Sequence, residues 1–245
     1  VPVVNIISHE YGWRWTFAIV GVLAAVTMAL VALFAPRDPA HPDASPLREL
    51  GALKRGQVWL TLGVGAIGFG GFFAVYAFLT AAMIATTDAP AYAIPLALGV
   101  FGVGGTLGTW VAGRLTERLG QIRAAYISLA AMAATQGFAS LAVGNWQMMV
   151  LSSFLLAAGA GLVIPLQTRL MDVAGRAQNM AAAMNHAAFN AANALGPFLA
   201  GMALTAGWGW ASSGYVGIGL TAAGAVVLTL AVWHDRASGA VADCA

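Results

Sequence analysis

Residues 58–85 read VWLTLGVGAIGFGGFFAVYAFLTAAMIA, without one Asp, Glu, Lys or Arg. A charge at the centre of a bilayer costs roughly 2.5–3.5 kcal/mol on insertion scales. About 20 helical residues, rising ~1.5 Å each, cross a hydrocarbon core of ~30 Å. The stretch is written for lipid. Six more charge-free runs share its character, at 16–35, 93–113, 124–143, 147–168, 180–206 and 213–233. The charged residues of this 245-residue chain, 11 Lys+Arg and 9 Asp+Glu, all fall outside the seven runs. Strands of a membrane barrel alternate apolar and polar over ~10 residues, and these runs do not. The expected fold is an all-α membrane protein with seven transmembrane helices.

Composition excludes other classes. Apolar residues make up 60% of the chain and charged residues 8%, against ~25% charged in soluble domains. A net charge of +2 with scattered arginines gives no footprint for nucleic acid. The single cysteine, Cys244, leaves no disulfide within the chain and no metal-ligand spacing. No metal and no cofactor are expected. The glycines at 63, 65, 68, 70 and 71 and at 99, 102, 104, 105 and 108 follow no strand, so they are not phosphate loops. No H-E-x-x-H, no nucleophile–base cluster and no paired in-span carboxylates occur, so no enzyme is expected. The chain opens Val1-Pro2-Val3-Val4-Asn5, with neither a basic n-region nor a cleavage site, and no signal peptide is expected. The lack of an initial Met points to an alternative start codon or a truncated sequence.

Lys and Arg orient the spans. Arg14 precedes the first span. On the other side lie Arg37, Arg48, Lys54 and Arg55, then Arg114, Arg118 and Arg123, then Arg169 and Arg176, then Arg236. The positive-inside rule therefore places the segments 36–57, 114–123 and 169–179 and the C-terminus in the cytoplasm. Trp13, Trp15, Trp59, Trp110, Trp146, Trp208, Trp210 and Trp233 all sit at or near span ends, as an aromatic belt requires. Segment 36–57 is the one long linker. It begins Pro-rich, and Ser45-Pro46 then caps a short amphipathic helix with Leu47, Leu50 and Leu53 on one face.

The sharpest motif is Gly113-Arg114-Leu115-Thr116-Glu117-Arg118-Leu119-Gly120-Gln121-Ile122-Arg123, a tight connection of pattern G-x-L-x-[DE]-R-x-G-x-x-R. Its glycines allow a sharp turn. Glu117 and the arginines have the chemistry of ion pairs that hold helix ends together. An ordinary positive-inside loop would explain the arginines but not the spaced glycines and acid. Gly113, Leu115, Glu117, Arg118, Gly120 and Arg123 are the expected gating residues. Gly104, Gly108 and Ala112 recur every four residues, a face that lets helices approach closely.

This loop resembles the one joining the second and third helices of each half in the major facilitator superfamily. Tyr11-Gly12-Trp13-Arg14-Trp15-Thr16-Phe17 resembles the family's lead-in to its sixth helix. Pro165-Leu166-Gln167-Thr168-Arg169 and the run from Asn185 to Pro197 resemble the tenth and eleventh helices of its drug:proton antiporter branch, nearest the arabinose and sugar efflux permeases. The resemblance implies a twelve-helix fold in two halves, with substrate bound between them near the bilayer midplane. On that alignment residues 1–35 are the end of the fifth helix and the sixth helix of the first half. The linker follows at 36–57, the six-helix second half at 58–233 and a cytoplasmic tail at 234–245. The chain is then a C-terminal fragment that needs the other half for a complete pathway. The implied function is proton-coupled efflux of drugs or sugars by alternating access, in the cell inner membrane. The expected partners are the lipid bilayer, a small-molecule substrate and protons. A non-transporting remnant or assembly partner is the competing reading.

The sixth span carries a polar stripe. At 100° per residue Asn179, His186, Asn190, Asn193 and Pro197 share one face, each within ~40° of Asn179. Amides facing lipid are costly, so the stripe meets protein or a wet cavity. Interhelical bonding and cavity lining both stand, and His186 is the candidate proton carrier. In the second span Phe72, Phe73, Tyr76 and Thr80 follow the glycines. Tyr76, Thr80, Gln167, His186, Asn190 and Asn193 are the cavity-lining candidates. Pro165 and Pro197 lie inside spans and are expected to kink them.

Overall fold

A computed structural model describes residues 12–34, 51, 54–175 and 177–242. It is all-helical among those residues, and seven of its helices are long and apolar enough to cross a membrane. The chain divides into two compact units, Val1–Ser45 and Pro46–Ala245, and each is described by itself. The short amphipathic helix expected before Lys54, and Arg176 in the loop beyond the fifth span, lie outside the described residues.

In the first unit, helix α1 (Trp13–Phe34) starts where Gly12 turns the backbone at φ +86° and its carbonyl accepts from Trp15 N–H at 3.2 Å. Phe17, Leu23, Met28 and Leu33 lie exposed around it. A helix apolar on every side takes lipid as its solvent.

The second unit is a bundle. Its first span, Gly56–Thr86, has four parts: α2 (Gly56–Gly63), a widened π-helical turn at Val64–Gly68, α3 (Gly70–Tyr76) and α4 (Leu79–Thr86). The remaining helices are α5 (Ala93–Leu119), α6 (Gln121–Ala142), α7 (Trp146–Gly159), α8 (Val163–Ala174), α9 (Gln178–Thr205) and α10 (Ser212–Ala242). Val64, Phe69, Phe72, Leu129, Met132, Leu156, Leu162, Leu166 and Leu228 form the central core, drawn from four of these spans.

The four-residue glycine repeat behaves as expected. A side chain at Gly104 would overlap the Phe154 carbonyl, and one at Gly108 would overlap the Ala158 carbonyl. The Ala112 methyl lies against Gly161, and Ser153 Oγ donates to the Ala97 carbonyl at 2.8 Å. Backbone therefore meets backbone along α5 and α7. Such contact is how helices associate where lipid removes the hydrophobic drive.

Three expectations change. The connection at 114–123 is helical through Leu119, so only Gly120 breaks the chain between α5 and α6. Arg169 belongs to helix, not loop, because α8 continues to Ala174 and buries that side chain to 2% exposure. Pro165 does not kink a continuous helix. The span already breaks between Gly159 and Val163, and Pro165 sits in the first turn of α8, where its missing N–H has no partner to lose. By contrast α9 runs unbroken from Gln178 to Thr205 through Pro197.

Candidate functional site

Helix α9 separates its polar groups by face. Asn185 is buried, and its amide donates to the Gln167 Oε1 on α8 in a short hydrogen bond. His186, Asn190 and Asn193 point out of the bundle, exposed, with no hydrogen bond among the described residues. Asn179 is exposed as well, though it does have a partner. Pro197 has no N–H, so the Asn193 carbonyl four residues back loses its helical donor. Asn193 thus presents an amide and a backbone acceptor on the same open face. Beside it Ala66, Ala191, Ala194, Leu195 and Phe198 line an apolar groove of about 570 Å³. The surface joins a few strong hydrogen-bonding groups to an apolar strip, the usual chemistry of a small-molecule site.

Behind that face runs an aromatic stack. Phe69 meets Phe189 of α9 edge-on at 4.7 Å and Phe72 at 5.0 Å. Phe72 stacks on Tyr76 at 5.7 Å, and Tyr76 reaches Phe101 of α5 at 4.8 Å. Tyr76 is half-buried and held by rings on two sides, and Thr80 is half-buried one turn further on. Of the cavity-lining candidates, then, Gln167 is engaged with Asn185, Tyr76 packs in the stack, and His186, Asn190 and Asn193 stay open.

At the far end of α5, Gly120 takes φ +80° and ψ 160°, a conformation that L side chains rarely adopt. Its N–H donates to the Thr116 carbonyl at 3.0 Å, and its own carbonyl accepts from Ala124 N–H at 3.1 Å. One residue thus closes α5 and opens α6. Gly113 and Leu115 lie half-buried on the last turns of α5. Glu117, Arg118 and Arg123 are exposed and form no ion pair among the described residues. The ion pairs open to Glu117 and the arginines are therefore not made here. The Arg114 guanidinium instead lies over the Trp110 ring, 3.9 Å from its centroid.

An ion pair at this end lies elsewhere, and sequence reading passed over it. Arg169 Nη2 is 3.3 Å from Asp235 Oδ2 on α10 and donates to Gln57 Oε1 on α2 at 3.2 Å. Gln57 also donates to the Ala231 carbonyl at 2.9 Å. Arg55 donates to the Val173 carbonyl at 2.9 Å, and Gln121 donates to Asp172 Oδ2 at 2.8 Å. Four helix ends are tied by these bonds. A second polar group, fully buried, joins Thr221 Oγ1 to Gln136 Oε1 at 3.0 Å. Gly71, Gly214 and Gly217 all abut Gln136 and leave it room.

Comparison with known proteins gives the architecture its place. The sequence profile of the Major Facilitator Superfamily matches residues 1–138 and 62–242. The chain belongs to the Major Facilitator Superfamily. Similar members include the inner membrane transport protein YdhP of Escherichia coli strain K12, 27% identical over 219 residues (86% of this chain and 54% of that protein). A chloramphenicol resistance protein of Streptomyces lividans is 33% identical over 235 residues, 91% of this chain and 59% of that protein. A probable sugar efflux transporter of Mannheimia succiniciproducens is 26% identical over 222 residues, 89% and 54% of the two chains. The chain spans little more than half the length of these superfamily relatives.

Proposed function

We propose that this chain supplies one half of a secondary transporter exporting small molecules, drugs or sugars, across the bacterial inner membrane by alternating access. The open face of α9 carries the reading. His186, Asn190 and Asn193 are hydrogen-bonding groups in an apolar span, without partners among the described residues and beside an apolar groove. Such a face is costly against lipid. Against a second half it becomes one wall of a central cavity, with Gln167, Tyr76 and Thr80 behind it. The ten positive charges on one side against Arg14 on the other support a cytoplasmic C-terminus. The unpaired Glu117, Arg118 and Arg123 then lie where they can bind the other half while the inner side is shut. Residues 58–233 are the half itself, 36–57 its linker and 1–35 the end of the preceding half.

Proton coupling, if His186 carries it, needs no carboxylate at mid-span. The described carboxylates of the bundle, Asp88, Glu117, Asp172 and Asp235, all sit toward span ends. The competing reading is a non-transporting remnant or assembly partner. The two separate in an efflux-deficient bacterium given this chain alone, or together with a chain providing the other six-helix half. Chloramphenicol and arabinose export are the readouts. Export only by the pair is expected, and Glu117→Gln in the pair should lower flux severalfold at unchanged membrane abundance. No export by the pair would favour the remnant, and export by the chain alone would overturn the half reading.

A further inference from the structure

We infer that the groove between the start of α6 and the end of α10 binds the headgroup of an anionic phospholipid. The groove has a volume of about 830 Å³ and is walled by Leu119–Arg123 and Tyr126 on one side and by Thr229, Val232, Trp233, Asp235 and Arg236 on the other. Arg123 and Arg236 flank it, exposed and free of ion pairs among the described residues. Asp235 also borders it, but its carboxylate already faces Arg169 at 3.3 Å. The groove therefore keeps an excess of positive charge. Gly120 brings no capping side chain to α6, so the first-turn amides of this 22-residue helix add donors at the same edge.

The rest of the groove fits the remainder of a lipid. Leu119, Ile122 and Val232 give it apolar walls. Thr229 donates its hydroxyl to the Ala225 carbonyl at 2.8 Å and lies 2.8 Å from the Tyr126 hydroxyl, which occupies both groups and lowers the polarity of the floor. Trp233, 71% exposed, stands at the rim, and Ile127 and Leu230 lie open one turn further into the membrane. A Trp at headgroup level with apolar side chains beneath it marks the interface of the bilayer. Basic pockets between helices at that level suit anionic headgroups, and a free phosphate would leave the apolar walls unused. The groove is also separate from the substrate face, since α9 packs on α3, α8 and α10 and lines none of it.

The test measures binding alone, so it stands or falls independently of transport and of membrane orientation. The full chain is placed in nanodiscs of phosphatidylcholine with a minor fraction of phosphatidylglycerol, and the lipid it retains is counted by native mass spectrometry. Preferential retention of phosphatidylglycerol is expected. Arg123→Gln with Arg236→Gln should lower that preference about ten-fold. The charge-matched pair Arg114→Gln with Arg118→Gln should leave it within two-fold. Equal loss in both pairs would mean diffuse attraction, and no loss in the first would mean no site; either overturns the proposal. Should the first pair fold poorly, lipids brominated near the headgroup replace it. The quenching assigned to Trp233, from the difference between the chain and Trp233→Phe, must be stronger for phosphatidylglycerol than for phosphatidylcholine. Equal quenching overturns the proposal too.

Discussion

The seam between α5 and α7 and the outer face of α9 solve opposite problems. At the seam, Gly104 and Gly108 bring backbones into contact, and Ser153 bonds within the pair. On α9 the small residues sit beside His186, Asn190 and Asn193, which are left open. Both faces read as small and weakly polar in the sequence. The difference lies in whether the polar groups are closed. A seam with every group matched holds a half together, whereas a face with unmatched groups is shaped for contact with something else.

Substitutions that break the seam should have the largest effect. Gly108→Leu drives a side chain into the Ala158 carbonyl and should lower stability by about 3 kcal/mol. Thermal unfolding in detergent would register this as a large drop in midpoint, and an unchanged midpoint would mean that the seam is not close-packed. Next comes the tie at the helix ends. Arg169→Gln removes a bond to Asp235 and leaves Gln57 short of a donor, which should cost about 2 kcal/mol. The same unfolding measurement checks it, and limited proteolysis at the end of α10 should speed up in parallel. The smallest effect falls on the open face. Asn193→Ala should change the stability of this chain by less than about 0.5 kcal/mol, because no described residue bonds the amide. Paired with the other half, the same variant should alter substrate profile. A stability loss as large as that of Arg169→Gln would close the distinction between the two faces.

Much of this was legible in the sequence because the bilayer enforces simple rules. The absence of charge from 58–85 and its six counterparts located every span, and a period of four located the seam at Gly104 and Gly108. Helix ends were less legible. Charge counting places Arg169 in a loop, since a cation in a span is costly, yet a buried arginine is tolerated where a carboxylate and an amide reach it. Those partners, Gln57 and Asp235, lie 112 and 66 residues away in the chain, and local pattern carries no trace of such pairing. The Gln136–Thr221 bond was hidden for the same reason. The stripe on α9 was readable as a stripe. That Asn185, one residue off it, is closed while Asn190 and Asn193 are open follows from where α8 stands.

The widened turn at Val64–Gly68 has a consequence for how faces are counted along the first span of the bundle. A π-helical turn absorbs a residue, so the angular phase slips by about 100° for everything after it. Counted as plain α-helix, Tyr76 would lie about 100° around the axis from Trp59. With one residue absorbed, the separation becomes about 160°, nearly diametric. Exposure fits that count: Trp59 is 56% exposed, and Tyr76 is half-buried, stacked against Phe72 and Phe101. Five residues of irregular winding thus act as a phase shifter. They let one span show an aromatic anchor to the outside at one end and an aromatic wall to the interior at the other.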